Sequence, residues 1–302
     1  MRGQIVEITQ PGYALNKSRG FLEVRHEREP IGQVPLDDIA AVIISVPGCL
    51  ISSVLIDHLC RQNIPLVICG KNYMPSSITL PLEGYGRQFY IMQAQVKLSE
   101  PRRKRAWQHI VKAKIKNQAE VLVRAGENNQ QLLRLADKTR SGDPDNCEAQ
   151  ASRAYWPRLF GKDFRRKQES PGINAALNYI YAIVRASVAR GVSSAGLHPT
   201  FSLHHRNPQN PLNLVDDLME PFRPIADYML WHSGAEQFDE LSPGTKKQLA
   251  AITILVIPLG EDASPLSLAA SRMGRSFAAY CLGEEDTFLC PGLPYPIDMP
   301  VL

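Results

Sequence analysis

The apolar positions of this chain follow one pattern up to about residue 75 and another beyond it. In the first part, short β-rich runs alternate with turn signals. Ile5-Val6-Glu7-Ile8 reads as a strand, Gly12-Tyr13 as a turn and Phe21-Leu22-Glu23-Val24 as the next strand. Pro30 and Gly32 mark Arg28 to Gln33 as a second turn. Ala40 to Ile44 is a continuous apolar run of the buried-strand type. Between Ser52 and Gln62, Val54, Leu55, His58 and Leu59 recur at helical spacing and predict one short helix. Pro65 to Cys69 then reads as a last buried strand, closed by Gly70.

A Pro/Gly/Ser-rich piece leads up to Gly86, and from there the signals are helical almost to the end. Arg103 to Leu135 is long and amphipathic, with Trp107, Ile110, Val111, Ile115, Val121 and Leu122 as candidate core positions. Asp143-Pro144 reads as an N-cap and first helical position; that helix would carry Glu148, Ala151, Ser152 and Tyr155 on one face. Asn174 to Arg190 follows, with Gly191 as its stop. Val215 to about Ser233 is expected to be kinked by Pro221 and Pro224, and Gly244–Ile257 and Pro265–Leu282 complete the helices. The pattern predicts an α+β chain: a small N-terminal β-strand-rich domain over 1–75, a linker over 76–86, a larger all-α C-terminal domain over 87–290, and an extended proline-rich tail over 291–302.

Composition changes little in this picture. The net charge is only +4, so any basic surface must be local. The N-terminus lacks an apolar core of the secretory kind, and no apolar run is long enough to cross a membrane. The six cysteines form no CxxC pair, which argues against a zinc ribbon. Free thiols in a reduced cytoplasmic setting are the expectation.

The candidate chemistry is concentrated between Gly196 and Pro224, GLHPTFSLHHRNPQNPLNLVDDLMEPFRP. Three histidines are followed there by Asp216, Asp217 and Glu220, with Arg223 close behind. On a helix, Asp217 and Glu220 share a face, and so do Asp216 and Glu220, so spacing alone does not choose between the aspartates. Imidazole nitrogen with carboxylate oxygen suits Mg²⁺ or Mn²⁺. A solvated acidic helix start, favoured by the helix dipole, is the alternative reading of DDLME.

This segment resembles the signature of the CRISPR-associated spacer-acquisition integrase, the first of the Cas proteins, in the form found in type II systems. NCEAQASRAYW around Glu148, NAALNYIY from Asn174 to Tyr181 and RKRAWQHIVKAKIKNQ from Arg103 to Gln118 are similar to three further family segments, in the family's order.

The resemblance implies metal ligands at Glu148, His205 and Glu220, with Asp217 as an adjacent acid that could also ligate. It implies an endonuclease/integrase of CRISPR adaptation. Each 3′-hydroxyl of a prespacer duplex would attack a repeat phosphodiester with no covalent protein intermediate. It also implies a homodimer, contacting through the β domain and bridged by a small second Cas protein, with the type II effector nuclease as a further partner. Arg223, Arg103, Arg105, Lys162, Arg165, Arg166 and Lys167 are candidate contacts to the DNA backbone. Two other functions stay open at this point. One is a metal-dependent nuclease acting on branched repair intermediates; the other is a non-enzymatic DNA-binding scaffold.

Overall fold

The structure is a computed structural model that describes residues 4–62, 64, 66–70, 75–79, 87–167, 170–234 and 241–294. The chain forms two compact units, Met1–Gly84 and Tyr85–Leu302.

The first unit contains β1 (Gln4–Ile8), β2 (Tyr13–Ser18), β3 (Phe21–His26), β4 (Glu29–Pro35), β5 (Ile39–Ile44), β6 (Leu50–Ile51), α1 (Ser53–Arg61), β7 (Leu66–Cys69) and β8 (Pro75–Ile78). They build two four-stranded sheets, ordered β1-β5-β7-β8 and β4-β3-β2-β6. In the first, β1, β5 and β7 are parallel and β8 is antiparallel to β7. In the second, β2, β3 and β4 form an antiparallel meander. Leu15 and Leu22 from the meander, Val42 and Ile44 from β5, and Leu55 and Leu59 from α1 belong to one buried cluster.

Two turn expectations fail here for identifiable reasons. Tyr13 begins β2, because the chain reverses just before it at Gly12, whose φ of +83° only glycine takes freely. Arg28 to Gln33 lies mostly in β4; the reversal falls on Glu27 and Arg28, both at positive φ. β4 is an edge strand, so Pro30 can sit in it without removing a hydrogen bond that a central ladder needs.

The second unit contains α2 (Gln88–Val96), α3 (Glu100–Arg124), α4 (Gln130–Lys138), α5 (Cys147–Leu159), α6 (Ile173–Ser194) and α7 (Asn213–Met219). A 3₁₀ turn, Glu220–Phe222, leads into α8 (Arg223–His232). Then come α9 (Pro243–Ala250), a hairpin of β9 (Val256–Leu259) and β10 (Asp262–Pro265), and α10 (Leu266–Leu282). The hairpin corrects the expectation of an all-α domain, and α2 carries no sequence signal recognised above.

The predicted long helix is two helices. The N–H of Gly126 reaches the Val123 carbonyl at 3.0 Å and the N–H of Glu127 reaches that of Leu122 at 2.8 Å, a glycine-centred stop. Gly191 does not end α6. A Cβ on Gly191 would run into the carbonyl of Ala270, and one on Gly274 into the carbonyl of Gly191. These glycines let α6 and α10 approach backbone to backbone.

All six core positions expected on α3 are buried. Its Asn117 side chain donates to the carbonyls of Pro221 and Pro291 at 2.9 Å each, tying α3 to the 3₁₀ turn and to the first residues of the proline-rich tail. Residues 295–302 of that tail, and 80–86 of the expected linker, lie outside the described residues; 75–78 form β8. Among the described residues, no helix is long and apolar enough to cross a membrane. The six cysteines are free.

Candidate active site

The start of α5 is set by side chains. Asp143 and Asn146 both take positive φ, and Asn146 rather than Asp143 is the N-cap. The Asp143 carboxylate accepts from the N–H groups of Cys147 (2.8 Å) and Glu148 (3.0 Å), and the Asn146 side chain accepts from that of Ala149. The orphan donors of the first turn are thereby satisfied, and Glu148 is fixed there.

Facing it from α3 is Lys114, a residue the sequence reading missed. It is buried, and its ammonium Nζ lies 2.5 Å from Glu148 Oε1 and 2.5 Å from Glu220 Oε2. Its position was legible: Trp107, Val111, Lys114, Gln118 and Val121 form one stripe of α3, so this lysine sits where an apolar residue is expected. Lys112 and Lys116 flank it off that stripe.

Glu220 opens the 3₁₀ turn that Pro221 imposes between α7 and α8. Its side chain is 7% exposed, against 28% for Glu148. Arg223 donates through Nε to Glu220 Oε1 at 2.9 Å and lies 4.7 Å over the Tyr181 ring. Burial would raise the Glu220 carboxyl, but Arg223 and then Lys114 outweigh it and hold the pKa down at about 2. Burial likewise opposes the charge on Lys114, and the two glutamates overcome it, so its pKa is raised.

His205 is held by different means. Asp217 is fully buried on α7 and receives the loop before it. Its Oδ2 accepts from the N–H groups of Leu203 (2.6 Å) and His204 (3.0 Å). Its Oδ1 accepts from the N–H of His205 (3.2 Å) and lies 2.6 Å from His205 Nδ1. Asp217 raises the His205 pKa against the opposing effect of burial. These four contacts engage both oxygens of Asp217 and orient the imidazole. With Nδ1 engaged, Nε2 is the nitrogen left for a ligand. His204 stacks on Trp107, centroids 4.3 Å apart and planes 2° from parallel, while His205 meets the same ring edge-on. Asp216 pairs with Arg185 at 2.6 and 2.9 Å.

Behind the acids lies a second cluster that the sequence reading did not assemble. Tyr155 and Tyr181 both donate to the buried Asp227, Tyr155 at 3.2 Å. Burial raises the Asp227 carboxyl to about 7, opposed by the hydrogen bonds from Tyr181 and Tyr155. Asp227, Tyr181, Arg166, Lys114, Glu220 and Arg223 line a cleft of about 180 Å³.

The basic candidates separate. Arg166 is half-buried and donates to Asn174 (3.0 Å) and Asn178 (2.6 Å), so it belongs to the cleft wall rather than to a free cationic arm. Lys162, Arg165 and Lys167, on either side of it in sequence, are exposed. Arg103 and Arg206 line an open groove with Thr200 and Asn207. Arg105 is exposed, whereas Arg102 is committed to the carbonyls of Tyr280 and Glu285 at 2.9 Å each.

Among the described residues, no three His, Cys, Asp or Glu side chains are gathered in a ready-made cage for a metal ion. The ammonium of Lys114 stands between the two glutamates, and Nδ1 of His205 is bonded to Asp217. The donor set nevertheless fits a hard divalent cation. Two carboxylate oxygens from separate elements already converge on one positive charge, and an imidazole oriented by a carboxylate is near enough for its charge to act on Glu220.

A family model described as CRISPR associated protein Cas1 matches residues 6–237. A CRISPR-associated endonuclease Cas1 of Neisseria meningitidis serogroup C (strain 8013) is 38% identical over 276 residues, 90% of each chain. A solved casposase bound to an integration product superimposes with a TM-score of 0.76 at 20% identity, covering 95% of this chain and 92% of that one. A chain of a Cas6-RT-Cas1–Cas2 complex gives a TM-score of 0.73 at 15% identity, covering all of this chain and 36% of its own. With the family model spanning most of its length and a curated relative 38% identical over 90% of both chains, this chain belongs to the Cas1 family of CRISPR-associated endonucleases.

Proposed function

We propose that the helical unit is a divalent-metal-dependent centre for DNA strand transfer, joining a prespacer duplex to a CRISPR repeat. The observation that carries this reading is the convergence of Glu148 and Glu220 on one cation, beside an imidazole whose Nδ1 a buried carboxylate holds. Glu148, Glu220 and Nε2 of His205 would hold the ion, with Mg²⁺ or Mn²⁺ suited to this oxygen-rich set. When bound, the ion supplies Lewis-acid polarisation of the scissile phosphate and stabilises charge on the attacking or leaving oxygen.

The remaining work belongs to the chain's own groups. Asp217 sets the tautomer and angle of His205. Arg223 spends Nε on Glu220 and keeps its terminal nitrogens as donors for a phosphate oxygen. Arg103 and Arg105, together with Lys162, Arg165 and Lys167, hold the DNA backbone, while Arg166 shapes the cleft. Insertion at both repeat strands needs two centres a fixed distance apart, hence two copies of this chain. A small second Cas protein is the bridging partner, a reading supported by the Cas2-containing complex among the structural neighbours. The effector nuclease of a type II system is the further partner.

The test is a joining assay. A labelled duplex with free 3′-hydroxyls, incubated with repeat DNA and Mn²⁺, gives a joined product for wild type and none for Glu220→Gln. Shortened strands without joining would replace this reading with the nuclease of branched intermediates. DNA binding with no chemistry, equal in wild type and Glu148→Ala, would leave only a scaffold.

A further inference from the structure

We propose that Lys114 is a built-in counter-cation of the metal site: its ammonium holds Glu148 and Glu220 together, and a divalent ion binds by displacing it. The inference rests on the metal-dependent reading above and specifies how that site is loaded.

Geometry comes first. One nitrogen lies 2.5 Å from an oxygen of each glutamate, so it occupies the point on which both acids converge. The three residues come from α3, α5 and the 3₁₀ turn, so the ammonium ties three elements at a single point. Burial comes next. The Lys114 side chain is 8% exposed and lies on the apolar stripe of α3, where packing alone would favour an aliphatic residue. A buried ammonium is costly unless paired, and the hydrogen-bond partners it has among the described residues are these two carboxylates.

Charge balance gives the direction. Lys114 and Arg223 match Glu148 and Glu220 one for one, so the cluster is neutral as it stands. Adding a divalent cation while Lys114 stays in place would leave excess positive charge in a partly buried cleft. Moving the ammonium away halves that excess and frees the oxygens at the same time. The exit exists: Lys114 lines the cleft with Ser152, Trp156 and Arg166, and a four-carbon stem can swing where a rigid guanidinium fork would not.

The test uses the full-length protein, Mn²⁺ as the probe, and calorimetric titration with thermal unfolding in chelator and in saturating Mn²⁺. For Lys114→Met the expected results are a lower melting temperature in chelator, about tenfold tighter Mn²⁺ binding, and a larger rise in melting temperature on adding Mn²⁺ than in wild type. Lys114→Arg, which keeps the charge and grips carboxylates more firmly, should bind Mn²⁺ about tenfold more weakly; it decides the matter alone if Lys114→Met does not fold. Unchanged or weaker Mn²⁺ binding in Lys114→Met, with a melting deficit that Mn²⁺ does not repair, would make Lys114 a merely structural cation and overturn the proposal. So would unchanged affinity in Lys114→Arg. Wild-type protein whose Mn²⁺ binding is absent, or is the same in Glu220→Gln, would instead overturn the metal-dependent reading itself.

Discussion

Asp217 and Glu220 stand three residues apart on one stretch of chain, and both are buried, yet they face opposite kinds of partner. Glu220 meets side-chain cations, the ammonium of Lys114 and the guanidinium of Arg223. Asp217 meets three backbone N–H groups and one imidazole. Side-chain cations can be exchanged; backbone donors cannot move without unfolding the loop. The histidine side is therefore pre-set, while the carboxylate side is held by a cation that another cation can replace.

The sharpest break of this contrast is Glu220→Ala. It leaves the partly buried Arg223 without its carboxylate and the buried Lys114 with Glu148 alone, so unfolding free energy should fall by about 3–5 kcal/mol, and joining should drop on the order of 10²–10³-fold. Glu148→Ala should match the loss of joining with a smaller loss of stability, since its side chain is 28% exposed. Denaturant titration alongside the joining assay reads both. Next comes Asp217→Ala, which leaves three N–H groups without their acceptor. About 2–4 kcal/mol of stability and a 10–100-fold loss of joining are expected. If Asp217→Ala proved as stable as wild type, the pre-set histidine loop would be wrong.

A pH series probes the boundary between the two regions. The Asp227 carboxyl sits at about 7 in the folded chain and in the ordinary range near 4 once unfolded. Between those values the folded state keeps a proton that the unfolded state releases, so stability rises as pH falls from 8 towards 5. His205, its pKa raised by Asp217, acts in the same sense. Glu220, held at about 2, acts oppositely, its contribution being lost as pH falls from about 4.5 towards 2. Asp227→Asn should flatten the rise between pH 8 and 5 in melting temperature, leaving only the part due to His205; an unchanged slope would remove Asp227 from the account. The smallest effect belongs to Arg165→Ala. This exposed residue should leave stability unchanged and reduce the salt slope of DNA binding by about one.

Much of this was legible in the sequence. Strand and helix periods mark out the two parts of the chain, and the family resemblance names Glu148, His205 and Glu220 as candidates, of which the structure brings Glu148 and Glu220 onto one ammonium. What stayed hidden has physical causes. Pro30 reads as a turn residue because an edge strand tolerates what a central strand does not, and Tyr13 because the reversal at Gly12 falls directly before it. Gly191 looked like a helix stop, whereas its missing side chain serves the close approach of α10, a tertiary fact. The role of Asp217 could not be told from that of a ligand, since an acid facing backbone N–H groups and an acid facing a metal have the same spacing. Lys114 was passed over because it sits among other lysines of a long helix; its place on the apolar stripe was the available signal.

The most direct test is a crystal structure of the protein soaked in Mn²⁺, with anomalous scattering recorded at the manganese edge. The account predicts one strong peak per chain, bonded to oxygens of Glu148 and Glu220 and to Nε2 of His205, with the Lys114 ammonium moved into the cleft. A peak elsewhere, or Lys114 still seated between the two glutamates at saturating Mn²⁺, would contradict it.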